Sequence, residues 1–399
     1  MLRNEKKEVS CIAMMRMNTV KIILSICLLT CTAGCSADVT EISDIALVTA
    51  TGIDYDKKTK KYTFTSYCLL PTTTSTANTG KLSDWVVSAS GSSILDAAKK
   101  LRSQVGKTLI WQHNKFIIIG EGAARYSFYE IMDFMIRNRQ IRITSFLFVS
   151  KGRAVNLLHM NTETEDLLSN DLLGKVRNEK DWGRSISQSI QNIANWNTDP
   201  YRGFVAGKIS KSRHSFKSKD ALSLSGGSVF NHGKWVGWLD EQDVLVVHLL
   251  SDKSKWKNLT FSESFPFHDS NVTLHFKLDK QSIQCRDTDG PTVDIHLSLT
   301  STVGEIEHYL SVDKLDTIIQ LEHAASTFLE NKIKHSLSHF QKDLNVDVIG
   351  FSDLFYQHYP KEWAALKHKW SDIYPTIPVQ AHVTVKIDKL GLNQYLGDH

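Results

Sequence analysis

Lys115-Phe116-Ile117-Ile118-Ile119-Gly120 is a run of four large apolar side chains closed by a glycine. A strand with one wet face alternates apolar and polar residues, whereas a strand buried on both faces does not. The run therefore predicts a central strand in a sheet covered on both sides. Upstream, Ile42–Asp54 and Tyr62–Cys68 are rich in β-prone residues and are joined by the charged segment Tyr55–Lys61, which reads as a hairpin. Pro71–Ser83 is rich in Thr and Ser, has no hydrophobic period and reads as a loop. Ser92 and Ser93 cap a helix over Ile94–Val105, whose Ile94, Ala97, Ala98, Leu101 and Val105 repeat at helical spacing. Downstream of the central run, Ser127 caps a second helix through Arg137, with Phe128, Ile131, Met132 and Met135 on one face, and a strand follows over Ile141–Val149. The order β-β-α-β-α-β defines helices packed on a mixed sheet. Helical patterns over Ala154–Leu158 and from Asp166 to about Ile193 complete it, and Asn195–Pro200 ends the pattern.

After Pro200, Gly226–Asp240 holds two apolar runs about an Asn231-His232-Gly233 turn, the pattern of a second hairpin, and Asp240 leads into a helix. Val272–Leu278 and Val293–Leu299 alternate apolar and polar residues, so each buries one face. Ser311 caps a long helix from about Val312 to Leu344, with Asp313 and Asp316 near its positive end and an apolar stripe through Ile318, Leu321, Ala325, Leu329, Ile333, Leu337 and Phe340. At 1.5 Å per residue that helix would be roughly 50 Å long. Asp353–Tyr359 is a short helix, Pro360 opens another, and Val379–Ile387 alternates as a closing strand. The fold class expected is α+β, with mixed α/β sheets, packed helices, more than one domain and a long helix in the C-terminal one. The expected boundaries are 1–34, a signal peptide with lipobox; 35–200, an N-terminal mixed α/β domain; 201–260, a small middle α+β domain; and 261–399, a C-terminal α+β domain.

The signal peptide is read from Thr19–Cys35. Lys21 precedes the uncharged Ile22–Leu29, and Thr32-Ala33-Gly34-Cys35 has the small residues of a lipobox, in which the cysteine is lipidated and becomes the new N-terminus. A transmembrane helix is the competing reading, but spanning takes roughly 20 apolar residues and Ile22–Gly34 is thirteen residues long, several of them only Ser, Thr, Ala or Gly. Met14, Met15 or Met17 as the start would leave a conventional signal. Beyond it no stretch is long and apolar enough to cross a bilayer, so the body is expected to be exported and folded.

Residues 1–34 hold five of the 47 Lys/Arg and two of the 43 Asp/Glu, which leaves 42 basic against 41 acidic residues from Cys35 onward. That balance argues against nucleic acid as a partner. Of the six cysteines only Cys68 and Cys285 lie in the body. They can form one bridge or be two buried thiols.

Candidates for chemistry are few. His335 and His339 have the i, i+4 spacing of two metal ligands on one helix face, but Ser-Leu-Ser stands between them and a solvated face is the ordinary reading. Ser225-Gly226-Gly227-Ser228 lacks the Gly-x-Ser-x-Gly elbow of a hydrolase and fits hairpin glycines. Asp54, Asp56 and the lysines of 57–61 can hold an ion or form a charged hairpin tip. Trp363 and Trp370 fall at core spacing, and Asn258 and Asn271 match the glycosylation pattern. No catalytic residue, cofactor or metal is expected. The one residue with a chemical role is Cys35.

Cys35, Glu41-Ile42, Ile45–Val48, Gly52-Ile53-Asp54 and Tyr62–Ser66 resemble the opening of the Ger(x)C spore germination proteins, the C subunits of GerA-type germinant receptors. Trp111–Glu121 and Asp133–Arg142 resemble the next two blocks of that family, Gly226–Asp240 its hairpin, and Gln341-Lys342, Asp347, Phe351, Pro360–Trp363, Trp370 and Lys389-Leu390-Gly391 its C-terminal signature. Ser36-Ala37 departs from the Trp-Asp common in the family, as does Thr32 from the usual leucine. The resemblance spans Cys35 to about Gly391. It implies a non-enzymatic lipoprotein, anchored through Cys35 on the outer face of the spore inner membrane, that works with integral-membrane A and B subunits in nutrient-triggered germination. A solute-binding lipoprotein of a transporter and an exported cell-wall enzyme are the alternatives. Gly52, His113, Arg139, Gly237 and Trp363 are conformationally demanding, charged or aromatic positions to inspect first for an interface.

Overall fold

The 115–120 run forms the strand it predicts. In the computed structural model of the chain, which describes residues 42–70, 83–160, 167–212, 221–251, 259–287, 290–307 and 314–389 together with Thr19, Lys21, Ile23 and Ser25, every residue of Phe116–Gly120 is buried. In the N-terminal unit, Met1–Ile45, those four isolated residues are helical and exposed and Ile42–Asp44 is a 3-10 turn. Cys35 lies outside the described residues, as do Asn258, Ser311 and Asp313. Among the described residues no helix is long and apolar enough to cross a membrane.

Strands β1 (Ile45–Asp56), β2 (Lys61–Leu70) and β3 (Ser83–Gly91) form an antiparallel meander. Helix α1 (Ile94–Ser103) packs on it, with the Ser93 hydroxyl accepting from the Asp96 N–H as its cap. β4 (Thr108–Ile110) pairs with β1, and β5 (Phe116–Gly120) lies parallel to β1, with Ile53 opposite Ile119. Helix α2 (Glu121–Arg137) leads to β6 (Phe146–Ser150), parallel to β5. Then come α3 (Ala154–Leu158), α4 (Leu168–Arg177), α5 (Glu179–Trp182), β7 (Gln188–Ser189) and α6 (Ile190–Asn197). β8 (Phe204–Lys211) joins β6 in parallel, and β9 (Leu222–Asn231) and β10 (Lys234–Leu239) extend the sheet antiparallel. The strand order is β10-β9-β8-β6-β5-β1-β2-β3, with β4 on β1 and β7 on β6. One face of β1 and β5 packs Val48, Ile53, Ile117 and Ile119 under α1, α2 and α6. The other packs Ala50, Phe116 and Ile118 under α3 and α4.

Helix α7 (Glu241–Leu250), capped by Asp240, is buried from Asp243 to its end. β11 (Thr260–Phe267), β12 (Ser270–Asp287) and β13 (Pro291–Ile306) make an antiparallel sheet, which β14 (Val379–Lys389) completes in parallel beside β13. Between β13 and β14 run α8 (Leu315–Ser338), a π-helical turn over His339–Asp343, α9 (Phe351–His358), α10 (Pro360–Leu366) and α11 (Trp370–Ile373). Phe261, Leu274, Leu297 and Val383 face a core shared with α7 and α8, while Ser262, His275, His296 and Thr384 on the reverse face are exposed. Val205 and Val229 of the first sheet join that same core, so the second sheet packs on the face of the first that is opposite α1 and α2.

Several boundaries differ from expectation. The segment 201–260 has no sheet of its own among the described residues: β8, β9 and β10 belong to the first sheet and α7 to the shared core. The long helix is α-helical only over Leu315–Ser338 before the π turn. Ser127 does interrupt a helix, at φ −150°, but α2 has already begun at Glu121, and Ser127 donates to Glu130 where the axis breaks. The helical stretch expected from Asp166, which lies outside the described residues, to Ile193 holds three short helices from Leu168 onward, the second ended by Gly183 at φ +70°. The strand expected from Ile141 starts at Phe146, after Ser145 donates to the Asn114 carbonyl. β3, β8 and β11 were not expected, nor the short β4 and β7. The 226–240 hairpin turns on His232 and Gly233, both at positive φ, the geometry that suits the twist of a two-residue hairpin loop.

Candidate functional site

Most of the side chains singled out in the sequence are placed in structural tasks. Asp54 is buried and accepts from the backbone N–H groups of Ala154 (2.8 Å) and Val155 (3.0 Å), capping α3 from β1. Burial raises its pKa against those hydrogen bonds and Arg153. Asp56 instead accepts from Lys58 N–H in the hairpin turn, so the two carboxylates do not converge. His339 Nδ1 lies 2.8 Å from Asp243 Oδ2 at the start of α7, whereas His335 is exposed. Among the described residues no three His, Cys, Asp or Glu are grouped to hold a metal. Ser225 donates to Glu241 (2.5 Å) and Ser228 accepts from Trp235 Nε1 (2.9 Å). Trp363 and Trp370 are both buried, edge to face at 5.0 Å, with Tyr201 against Trp363 at 5.1 Å. Asn271 donates to Glu307. Cys68 and Cys285 are free buried thiols in different sheets, their pKa values raised by burial, that of Cys68 to about 12. Of the positions to inspect first, His113 and Arg139 are exposed, and Gly52 and Gly237 sit where a Cβ would meet Leu158 and Leu344.

The feature that sequence reasoning missed is a cleft of about 560 Å³ between the sheets, walled by Trp196, Arg202 and Phe204 from the first body and by His248, Ile283 and Asp353 from the second. Arg202 joins the walls. Its Nη1 donates to Asp353 Oδ2 at 2.7 Å, and its guanidinium lies 5.5 Å from the Trp196 ring. Directly behind, the Gly203 N–H donates to the Asp347 carbonyl (3.1 Å), and a Cβ on Gly203 would strike Val346. The Asp347 carboxylate, fully buried, accepts from the N–H groups of Gly350, Phe351 and Ser352 and so fixes the start of α9. Gly350 at φ +91° makes that turn under the Arg202 guanidinium. Arg202 and Asp353 are 151 apart in sequence and neither belongs to a motif, so no local pattern signals the seam.

Deeper in the seam, Glu179 Oε1 accepts from Ser187 N–H (3.2 Å), and His248 Nε2 pairs with the Ser185 carbonyl (2.6 Å). Burial pushes the Glu179 carboxyl up to about 7 and pulls the His248 imidazole down to about 4. The two side chains approach to 3.9 Å, but the His248 imidazole is uncharged near neutral pH, so they do not form an ion pair there. On the far side Glu263 of β11 accepts from Arg184 (2.9 Å) and from Lys332 of α8 (2.5 Å), tying both sheets and the long helix together. The cleft thus offers an apolar wall, one ion pair and a neutral imidazole.

A mixed sheet with a second, smaller sheet packed behind it and a cleft along the seam is the class of molecule these features define. A family model described as the spore germination protein N-terminal domain matches residues 38–211, and one described as spore germination B3/GerAC-like, C-terminal, matches residues 225–391. The chain belongs to the Ger(x)C family of spore germination proteins. Among curated proteins of Bacillus subtilis (strain 168), it is 23% identical to putative spore germination protein YfkR over 92% of this chain and 95% of that one. It is 22% identical to spore germination protein KC over 89% and 92%. Among solved structures, the GerBC protein superposes with a TM-score of 0.54 at 15% identity, covering 88% of this chain and all of that one, which shows the shared fold.

Proposed function

We propose that this protein is a lipid-anchored, non-enzymatic subunit of a nutrient germinant receptor, held on the outer face of the spore inner membrane by a lipid on Cys35 and assembled with integral-membrane A and B subunits. The observation that carries the reading is the pair of family matches over 38–211 and 225–391. The lipobox pattern Thr32–Cys35 supports the anchor. A single acyl chain binds a membrane only marginally, whereas two hold it stably, so a diacylglycerol on Cys35 suffices without partners. Cys35→Ala is expected to leave the folded body intact, release the protein from the membrane fraction of spores and weaken germination. Unchanged membrane retention with normal germination overturns the reading. Crosslinking and pull-down from spore membranes, with identification of the copurified chains, tests the A and B partners.

The cleft favours one second reading, capture of a solute. Its walls come from unlike bodies rather than from two similar lobes, and Arg202 and Asp353 already satisfy each other across it. Calorimetry with amino acids and sugars separates the two: a stoichiometric heat that Trp196→Ala removes moves the choice to solute capture.

A further inference from the structure

Among the described residues of Ala46–His399 nine large apolar side chains are exposed, and five of them, Leu95, Tyr126, Tyr129, Ile136 and Ile143, fall within residues 94–143. That clustering coincides with charge. Residues 94–143 hold nine Lys/Arg against four Asp/Glu, and the hairpin 56–61 adds four Lys against one Asp, a combined +8. Cys35 to the C-terminus carries only +1, so the remainder is −7. The positive charge is therefore concentrated on α1, the β1–β2 tip and the segments that follow α1 and α2, with Lys107, Lys115, Arg139 and Arg142, while α2 itself holds two Arg against three Asp/Glu.

The geometry joins these parts into one surface. Lys57 Nζ sits 4.3 Å from the Tyr126 ring centroid, which sets the lysine tip beside α2. Leu95, Lys99 and Arg102 of α1 share a furrow with Phe134 of α2, and the adjoining depression holds Leu95 with Arg137 and Arg139. Asp96, Glu121 and Asp133 each pair within their own helix, with Lys100, Arg125 and Arg137, so the excess is borne by the hairpin lysines, Lys99, Arg102, Lys107, Lys115, Arg139 and Arg142, against Asp56 and Glu130. The second sheet packs on the opposite side of the first, through Val205 and Val229, and leaves this face uncovered by it.

We infer that the α1–α2 face and the lysine hairpin tip form the surface by which the body lies on an anionic lipid bilayer. Cations beside an anionic leaflet each add about fivefold to partitioning, and exposed tyrosines and isoleucines among them match the amphipathic chemistry of the headgroup region. The inference rests on the lipid-anchored reading for its tether. Ten residues separate Cys35 from Ala46, a covalent reach of at most about 40 Å, so an acyl chain there confines the body to the neighbourhood of the membrane and leaves the choice of face to its surface chemistry. Because the attraction fades beyond a Debye length of about 10 Å at 0.1 M salt, it acts on a body that a tether already keeps beside the bilayer.

The test uses the full lipoprotein carrying Tyr129→Cys labelled with a polarity-sensitive dye, with a Tyr356→Cys label as the reference. Cys68 and Cys285 are buried and do not compete for the label. In vesicles of phosphatidylglycerol with phosphatidylcholine, the Tyr129 label is expected to shift to the blue and to be quenched by a lipid-phase quencher, while the Tyr356 label is not. In pure phosphatidylcholine, in high salt, or with Lys58→Glu, Arg139→Glu and Arg142→Glu together, the shift is lost by one to two orders of magnitude in partitioning, with circular dichroism unchanged. A label equally insensitive in both vesicles, or one buried only when the receptor's other subunits are added, overturns the inference and in the second case assigns the face to a protein. Flotation separates the two failures: a wild-type chain that does not float with vesicles defeats the anchor, whereas one that floats with an insensitive label defeats only this face.

Discussion

The first sheet is covered on both faces and the second on one, and the two read differently along the chain. Beneath α1, α2 and α6 lie Val48, Ile117 and Ile119, and beneath α3 and α4 lie Ala50, Phe116 and Ile118, so β5 has no polar position. β11 instead alternates buried and exposed from Phe261 to Phe267, and β12 and β13 alternate over most of their length. The cause is topology. Parallel neighbours such as β1, β5, β6 and β8 need crossover connections, which place helices on both faces, whereas β11–β12–β13 are joined directly and leave one face to water.

That contrast is broken most severely by a charge placed inside the first sheet. Ile118→Lys buries an ammonium with α3 on one side and Phe116 and Phe148 beside it, and more than 4 kcal/mol of stability should be lost, enough to abolish soluble expression. Thr384→Lys on the exposed face of β14 should change stability by less than about 0.5 kcal/mol. Urea denaturation of both measures the contrast, and a comparable loss in the two would mean that the outer face of the second sheet is covered.

Legibility in the sequence followed this difference. The buried centre, Phe116–Gly120, and the hairpin at His232-Gly233 carry their own signals, so both were readable, and α1 was found from its serine cap and its period. β3 was missed because an edge strand with Trp85, Val86 and Val87 only half-buried has no strong pattern. β11 was missed because Ser262, Glu263 and Ser264 dilute its aromatics, and Glu263 is buried through Arg184 and Lys332, partners that no local window contains. For the same reason the Arg202–Asp353 seam was invisible.

Glu263 sharpens the comparison by testing whether the two sheets unfold together. It is 6% exposed and accepts from a cation of each body, so Glu263→Gln leaves Arg184 and Lys332 partly buried without their counter-charge. A loss of about 3 kcal/mol is expected, with the urea transition remaining single. A second transition appearing in the variant would show that the sheets are separate cooperative units.

The Glu179–His248 pair in the seam gives a pH signature of similar size. Burial holds the Glu179 carboxyl at about 7 against an ordinary 4.5, so between those values the folded chain keeps a proton that the unfolded chain has lost. Its contribution is complete below about 4.5 and is lost as pH rises through 7. His248, pulled to about 4 from 6.5, acts in the opposite sense, its contribution being lost as pH falls from 6.5 to 4. The two oppose each other between about 4.5 and 6.5 and should leave stability nearly flat there. Glu179→Gln removes the carboxyl, so relative to wild type it should gain on the order of 3 kcal/mol between pH 4.5 and pH 8. Its own stability should then rise with pH from 4 to 6.5, and paired thermal melts that stay parallel across the range would refute the assignment.

The smallest effect concerns how the second sheet closes its edge without another strand. Val383, Val385 and Ile387 of β14 donate their N–H groups to Glu330, Ser326 and Glu322 of α8, at 2.9, 3.1 and 2.9 Å. The match is one of periods: four residues of helix rise about 6 Å and two residues of strand about 6.6 Å, so every helical turn meets the next inward N–H. An edge hidden in this way is not available to pair with another chain. Ser326→Ala removes the middle acceptor and leaves the Val385 N–H without its partner beneath the helix, at a cost of about 1 kcal/mol. Amide hydrogen exchange should report the change locally, with Val385 losing protection while Leu297 and Leu299 on β13 keep theirs. Equal loss across β13 and β14 would mean that α8 supports the sheet through its apolar stripe, Leu321, Ala325 and Leu329, rather than by satisfying its edge.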